Sequence, residues 1–306
     1  MIDLRTLREL TYAPAQATPD HLSAASGIVV AGRFLYVVAD DELHLGVFDL
    51  DAPAGGSTTR LFPGELPDDA KARKKRKPDL EALVRLPPFA GYPTGALLAL
   101  ASGSKPNRRT GVLLGLDGTG ALSGAPRAVD LSALYAPLER RFPGLNIEGA
   151  VVCDRQLVLL QRASGKHREN ALIRLALDDV LHALGASDAP RLPELAFDTA
   201  TVDLGAIDGV VLGFTDAAAL PDGRLVFSAV AESTDDTYHD GPCVAAAIGM
   251  LDKSGQVQML ERVRPVRKIE GIDARQDGDV VRLLLVTDAD DRSAPAALLG
   301  ATLAIR

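Results

Sequence analysis

The segment KIEG (Lys268–Gly271) precedes a short apolar run and has counterparts elsewhere in the chain. NIEG (Asn146–Gly149) and DLEA (Asp79–Ala82) precede similar runs, and FTDAAAL (Phe214–Leu220) and AASG (Ala24–Gly27) are weaker copies. Alignment on the acidic position makes five residues equivalent, with spacings of 55, 67, 68 and 54: Ser26, Glu81, Glu148, Asp216 and Glu270. Such a period is typical of repeat architectures.

Each copy is followed by short runs rich in Val, Leu and Ile, and these runs are separated by residues typical of turns. After FTDAAAL, for example, come GRLVFSAVAE, CVAAAIGMLD and QVQMLERV. Turn residues such as Asp222-Gly223 and Asp277-Gly278 suit tight hairpins. A repeat of this length with four strands predicts a propeller blade. We therefore expect an all-β fold, a five-bladed β-propeller with four-stranded antiparallel blades in one domain over residues 1–306. Six blades are the alternative, if a longer repeat hides one more.

The last repeat contains only three strand-like runs, so Leu4–Tyr12 is expected to supply its fourth strand and close the ring. Closure of this kind removes two exposed sheet edges. Helical periodicity predicts short helices within Asp130–Phe142 and Leu177–Gly185. A doubly wound α/β fold is disfavoured, because few segments between the strands have helix length and no G-x-G-x-x-G motif follows a strand.

Composition narrows the classes of partner. The 306 residues carry a net charge of -8, and 4% are aromatic with no Trp, which argues against a nucleic-acid partner. The two cysteines form neither a disulfide framework nor a metal knuckle. The first residues, MIDLRTLREL, lack the apolar core of a signal peptide, and no apolar run is long enough to span a membrane. We expect a cytoplasmic protein without a membrane partner.

The recurring acids are expected to surround one mouth of the central channel, because the innermost strand of every blade begins there. Four carboxylates in one place repel each other unless they are protonated, paired or metal-bound. Hard oxygen ligands suit Ca²⁺ or Mg²⁺, whereas no His/Cys set with zinc spacing occurs. The predicted metal ligands are Glu81, Glu148, Asp216 and Glu270. Two alternatives stay open: the acids bind backbone amides of the neighbouring blade, or they act directly in acid/base catalysis.

Charged loops surround the same mouth in this arrangement. Basic residues concentrate in blades two and three: Lys77, Lys105, Arg108, Arg109, Arg162, Lys166 and Arg168. Acidic residues concentrate in blades four and five: Asp235, Asp236, Asp288, Asp290 and Asp291. A mouth with a cationic half suits an anionic ligand, and salt bridges between loops are the alternative. The charged run KARKKRK (Lys71–Lys77) is expected to be a solvated, mobile loop.

The combination of DLEA, NIEG and KIEG with SGSKPNRRTG (residues 102–111) resembles bacterial phytase-like or esterase-like β-propeller proteins. The resemblance implies a Ca²⁺ site on Glu81, Glu148 and Glu270 with Lys/Arg binding phosphate. We therefore expect a divalent-metal-dependent hydrolase of a phosphoester or another anionic small molecule. Glu148 and Glu270 are the candidate catalytic residues, and Lys105, Arg109 and Arg162 would bind the substrate. The alternative is a noncatalytic propeller scaffold that binds a small ligand or a protein partner with the same face.

Overall fold

The computed structural model describes residues 1–14, 19–52, 55–163, 169–187, 189–233 and 243–305. Its strands form five separate sheets, each with a core of four antiparallel strands. The innermost strands of successive sheets lie side by side and the fifth returns to the first, so the sheets are the blades of a ring. The prediction of a five-bladed β-propeller is confirmed, and the six-bladed alternative is wrong.

The first three blades follow the chain from the channel outward. Blade 1 contains β3 (Ala25–Ala31), β4 (Phe34–Ala39), β5 (His44–Asp49) and β6 (Ser57–Arg60). Blade 2 contains β7 (Leu80–Leu86), β8 (Ala96–Ala101), β9 (Thr110–Leu116) and β10 (Leu122–Asp130). Blade 3 contains β11 (Ile147–Cys153), β12 (Gln156–Gln161), β13 (Asn170–Ala176) and β14 (Phe197–Val202).

The last two blades both receive strands from the start of the chain. Blade 4 contains β16 (Val210–Ala219), β17 (Leu225–Glu232), β18 (Cys243–Leu251) and β19 (Val257–Arg264), with β1 (Ile2–Asp3) and β15 (Ala206–Ile207) at its edges. Blade 5 contains β20 (Ile269–Asp277), β21 (Val280–Thr287), β22 (Ala297–Ala304) and β2 (Arg5–Glu9). The predicted closure by the N-terminal segment is confirmed by β2, which pairs antiparallel with β22. Sequence reasoning missed β1, which pairs parallel with β19.

Apolar layers between neighbouring blades hold the ring together. The alternating side chains of each strand face the two adjacent blades, so every blade contributes to two layers. In blade 2, Leu83 of β7 and Leu97 of β8 lie in one apolar cluster with Tyr36 of blade 1. Leu98, the next residue of β8, lies in another cluster with Leu159 of blade 3. The hydrophobic core therefore consists of separate layers, each lying between two neighbouring blades.

Three short helices lie outside the blades: α1 (Ala70–Arg76), α2 (Ser132–Arg141) and α3 (Leu177–Gly185). The two predicted helices correspond to α2 and α3. The prediction of a solvated loop over Lys71–Lys77 is wrong, because α1 occupies this run and begins after Asp69, whose side chain accepts from Ala72 N at 2.8 Å. Among the described residues, none of the helices is long and apolar enough to cross a membrane.

Candidate site at the channel mouth

The innermost strands begin at one end of the channel, which we call the mouth, and all five carry a shift of the pairing register near that end. In three of them the shifted residue is a glutamate. The pairing register shifts at Glu81 in β7, at Glu148 in β11 and at Glu270 in β20. Such a bulge places an extra residue in the strand and redirects its side chain. The sequence alignment of these three glutamates is therefore confirmed by their equivalent positions.

Asp216 does not occupy the equivalent position. The register shift of β16 lies between Phe214 and Asp216, so Thr215 stands where the other blades have glutamate, and the sequence alignment was wrong by one residue. Asp216 Oδ2 accepts from Ile272 N of blade 5 at 3.1 Å, and Oδ1 accepts from Ala217 N at 2.8 Å. Burial raises the pKa of Asp216 well above its usual range, although these N–H groups oppose the shift. These contacts match the alternative in which an acid binds the neighbouring blade.

One buried network at the mouth is centred on Arg162, which follows β12. Arg162 Nη1 lies 3.1 Å from Glu148 and 3.9 Å from Glu270, and Nη2 lies 2.6 Å from Glu232. The guanidinium therefore joins carboxylates of blades 3, 4 and 5. Gly213 makes room for it, because a Cβ at that position would lie 2.9 Å from Arg162 Cγ.

Lys268, the first residue of the KIEG motif, extends this network within blade 5. Its ammonium lies 3.3 Å from Glu232, 3.4 Å from Glu270 and 3.3 Å from Asp288. Burial raises the pKa of Glu270 to about 8, although Lys268 and Arg162 favour its charged form. Burial likewise raises the pKa of Asp288 to about 7 against the opposing effect of Lys268. The blade 3–5 network, which comprises the residues named here with Arg162 and Glu148, is thus charged, buried and rich in internal ion pairs.

A second network lies on the side of blades 1 and 2. The Lys77 ammonium forms ion pairs with Asp40 and, at 2.9 Å, with Asp79. Arg108 Nη1 lies 2.8 Å from the other oxygen of Asp79, and the Ser102 hydroxyl donates to that oxygen as well. Burial alone would raise the pKa of Asp79, but Lys77 and Arg108 leave it lowered. Asp79 is therefore charged, and Lys77, which pairs with both Asp79 and Asp40, connects blade 2 to blade 1.

Glu81 is the remaining carboxyl group of the blade 1–2 network, and it forms no ion pair with a described residue. One oxygen each of Asp40, Asp79 and Glu81 lie within 4.8 Å of one another. No described residue forms a hydrogen bond or an ion pair with the Glu81 carboxyl group. Burial raises the pKa of Glu81 well above its usual range, and the carboxylates of Glu148, Asp79 and Asp40 raise it further. Perturbed carboxyl groups of this kind concentrate at functional sites.

The three predicted substrate-binding cations, Lys105, Arg109 and Arg162, have different surroundings. Arg109 pairs with Glu139 of α2, and Arg162 is held among glutamates. Lys105 lies beside Arg108, and burial together with that guanidinium lowers the pKa of Lys105. Lys77 pairs with Asp40 of blade 1 and Arg108 pairs with Asp79 within blade 2, so these charges follow the salt-bridge alternative. Four residues of the predicted charged halves lie outside the described residues: Lys166, Arg168, Asp235 and Asp236.

Sequence reasoning missed the roles of Asp79 and Lys268, although both stood in the quoted motifs. Each is the first residue of its motif, two positions before the glutamate. At this position the side chain reaches the charged loops of the next strands, as the pairs Asp79–Arg108 and Lys268–Asp288 show. The sequence signal for these roles was that the first motif position is polar in all three motifs. In blade 3 this residue is Asn146, whose side chain donates to Glu148.

The protein is a five-bladed propeller with two buried networks of charged side chains at the mouth of its channel. The chain belongs to a family of unknown function, DUF6929, whose model matches residues 21–303. No curated protein sequence matches it significantly.

Comparison with solved structures finds several similar chains. Glutaminyl cyclase of Myxococcus xanthus superposes with a TM-score of 0.50 and 12% identity, covering 100% of this chain and 98% of that one. A hypothetical protein from Leishmania major (TM-score 0.45, 12% identity, covering 98% and 90%) and the WD40 β-propeller domain of Doa1 (TM-score 0.39, 9% identity, covering 97% and 96%) are also similar. At 12% identity the likeness to glutaminyl cyclase concerns the fold alone.

Proposed function

We propose that the protein is a divalent-cation-dependent hydrolase of a phosphoester or another anionic small molecule, with its site at the channel mouth. One observation carries this proposal: Glu81 is a carboxyl group without a hydrogen-bond or ion-pair partner among the described residues, and it lies within ligand distance of Asp40 and Asp79. The resemblance to phytase-like propellers, which rests on the DLEA, NIEG and KIEG motifs, points to the same chemistry.

The three carboxylates fit a hard cation. Ca²⁺ binds oxygen ligands at about 2.3–2.6 Å, so two ligands of one ion lie at most about 5 Å apart. Oxygens of Asp40, Asp79 and Glu81 meet this limit at 4.8 Å. The Lys77 ammonium already pairs with Asp40 and Asp79, so a bound cation would compete with it. A divalent cation in this place would supply a polarised water at neutral pH and would attract the substrate's anionic group.

Glu270 and Glu148 would supply the acid and the base of the hydrolysis. Because the pKa of Glu270 is raised to about 8, its carboxyl group holds a proton at neutral pH and would act as the general acid. Burial raises the pKa of Glu148, although Arg162 at 3.1 Å favours its charged form. In the charged form the Glu148 carboxylate would act as the base. Lys105, with Arg109 and Arg162, would bind the substrate anion after exchange of their present partners.

The cation site is tested by thermal shift and calorimetry with Ca²⁺ and Mg²⁺ on wild type and three variants. Glu81→Gln is expected to abolish metal-dependent stabilisation, since it removes the unpaired ligand. Lys77→Met is expected to strengthen metal binding, since it removes the competing ammonium. Glu194→Gln, an exposed acid on another surface, serves as the control and is expected to bind metal like wild type.

Turnover of bis(p-nitrophenyl) phosphate and p-nitrophenyl phosphate is measured on the same proteins and on Glu270→Gln. Metal-dependent hydrolysis that Glu270→Gln and Glu81→Gln abolish would support the enzyme. Absence of both metal binding and turnover would refute it.

The second candidate is a noncatalytic propeller that binds a small ligand or a protein at this face. It is favoured by the ion pairs and hydrogen bonds that already occupy Glu148, Asp216 and Glu270. In this case the acids hold neighbouring blades together. Retention of ligand or partner binding in Glu81→Gln and Glu270→Gln, without turnover, is the result expected for a scaffold.

A further inference from the structure

The helix α1 is attached to the propeller by one of its faces. Arg73 and Lys77, four positions apart, are 6% and 9% exposed. Arg73 binds Asp41 at 3.0 Å, and Lys77 binds Asp79 at 2.9 Å. Residues four positions apart lie on the same side of a helix, so both ion pairs hold α1 by its inner face.

The β8–β9 loop holds the end of the same helix. Arg108 Nη2 donates to Lys74 O at 3.0 Å, and Asn107 Nδ2 donates to Lys75 O at 3.2 Å. The last carbonyl groups of a helix have no partner within it, and these two donors supply one. The helix therefore has a fixed orientation, although five of its seven residues are cationic.

The outer face of α1 carries cations as well. Lys71 and Lys75 are again four positions apart, and each is offset by two residues from a member of the inner pair. This offset turns a side chain by about 200° around the helix axis. Both side chains are exposed, as is that of Arg76. We call these three residues, Lys71, Lys75 and Arg76, the α1 ridge.

The α1 ridge lacks counter-charges. No described residue forms an ion pair or a hydrogen bond with the side chains of the ridge. The acid before the helix, Asp69, accepts from Ala72 N at 2.8 Å and so caps the helix. Like charges four positions apart, such as Lys71 and Lys75, destabilise a helix. An anionic partner would relieve this repulsion.

Positive charge extends from the α1 ridge to the β8–β9 loop. Burial lowers the pKa of Lys105, and the guanidinium group of Arg108 lowers it further. The ammonium groups of Lys74 and Lys77 act in the same direction, whereas Asp79 opposes them with a smaller effect than that of Arg108. Cations therefore dominate the surroundings of the ridge on this side.

The overall charge of the protein limits the kind of partner. Its net charge is -8, and exposed acids such as Asp68 and Asp290 flank the helix. The seven residues of α1 extend only about 10 Å. A nucleic-acid backbone or an anionic membrane is larger than this and would meet the flanking acids, whereas a short peptide segment would contact the ridge alone. We propose that the α1 ridge binds an acidic segment of a partner protein.

The spacing of the α1 ridge suits an extended segment. Residues four positions apart in a helix are separated by about 6 Å along its axis. Alternate residues of an extended chain are separated by about 6.6 Å and point to the same side. Acidic side chains at alternate positions of such a segment therefore match Lys71 and Lys75. No ridge residue takes part in the proposed hydrolysis, so this surface does not depend on it.

The test uses the whole protein and fluorescence anisotropy with a labelled peptide, EGEGE. The uncharged peptide QGQGQ has the same length and is the control ligand. The double variant Lys71→Gln with Lys75→Gln removes two charges of the ridge. The double variant Arg155→Gln with Lys253→Gln removes two exposed cations at the opposite end of the channel and is the matched control. Phosphatidylserine vesicles and a short DNA duplex are added as competitors.

We expect EGEGE to bind at least tenfold more tightly than QGQGQ. The ridge variant should weaken EGEGE binding at least fivefold, and the control variant should bind like wild type. An increase of NaCl from 50 to 300 mM should weaken binding at least threefold, because salt screens exposed charges. Circular dichroism and urea unfolding establish that each variant is folded.

Four results would contradict the proposal. Absence of EGEGE binding at millimolar concentration, equal binding of the two peptides, or equal loss in the two double variants would overturn the α1 ridge as a binding surface for acids. Displacement of EGEGE by vesicles or by DNA at a lower concentration of negative charge than that of the peptide would overturn the assignment of a protein partner.

Discussion

Replacement of Arg162 by Met should destabilise the protein strongly, because it removes the cation of the blade 3–5 network. Arg162 is 10% exposed and lies within 4 Å of Glu148, Glu232 and Glu270, whose exposures are 8%, 11% and 8%. Removing one partner of a buried ion pair costs about 3–5 kcal/mol. Lys268 still compensates two of the three glutamates, so we expect about 3 kcal/mol, the lower end of this range.

The loss should depend on pH. Without the guanidinium group, burial raises the pKa of Glu148 further above the value of the unfolded chain. The folded variant then binds protons that the unfolded chain releases, so its stability falls as the pH rises above the unfolded value of 4.5. The difference from wild type should therefore be larger at pH 8 than at pH 5.5.

Urea unfolding at 25 °C, followed by circular dichroism at both pH values, measures this difference. Arg155→Met is the matched control, because Arg155 and its partner Asp178 are 77% and 68% exposed. An exposed pair of this kind contributes about 0–1 kcal/mol. The reasoning would be refuted if Arg162→Met cost less than about 1 kcal/mol, or if its effect were the same at both pH values.

Three further changes test other parts of the mouth. The pKa of Glu270 rises from 4.5 to about 8 on folding, so its contribution to stability is lost as the pH rises through 8. Glu270→Gln should therefore make the melting temperature depend less on pH between pH 5 and 9. An unchanged slope would contradict this. Gly213→Ala should cost about 1–3 kcal/mol in urea unfolding because its Cβ meets Arg162, whereas Gly118→Ala, in open space, should be neutral; equal effects would exclude the steric cause. Asp216→Asn should cost about 1–3 kcal/mol, since its amide group would face a backbone N–H, and an unchanged free energy of unfolding would show that this hydrogen bond is dispensable.

The blades were predictable because their signal is local and repeated. Apolar runs with turn residues such as Asp222-Gly223 mark strands, and the motif period counts the blades. The helix α1 was not predictable in this way, since KARKKRK has no apolar stripe. Its docking depends on Arg73 and Lys77, whose acidic partners come about 30 or more residues earlier in the β4–β5 loop.

The candidate site was predictable in part for the same reason. Glu81, Glu148 and Glu270 were found because the bulge recurs with its neighbouring Gly or Ala. In blade 4 the sequence FTD offers an acid one position later, and only the strand register shows that Thr215 is equivalent. The partners of each carboxyl group depend on contacts between blades, which a repeat pattern does not specify.

The segment that contains β1 and β2 belongs to two blades at once, with β1 beside β19 and β2 beside β22. During translation these residues leave the ribosome long before either partner strand exists. Blades 1 to 3 can form while the segment stays unpaired, whereas the outer edge of blade 4 stays open until β19 has been made and that of blade 5 until β22 has been made. The ring is therefore closed only when the last strand is available, and one early segment joins two neighbouring blades. A fusion or tag that restrains residues 2–9 should impair this last stage of assembly more than the formation of the first blades.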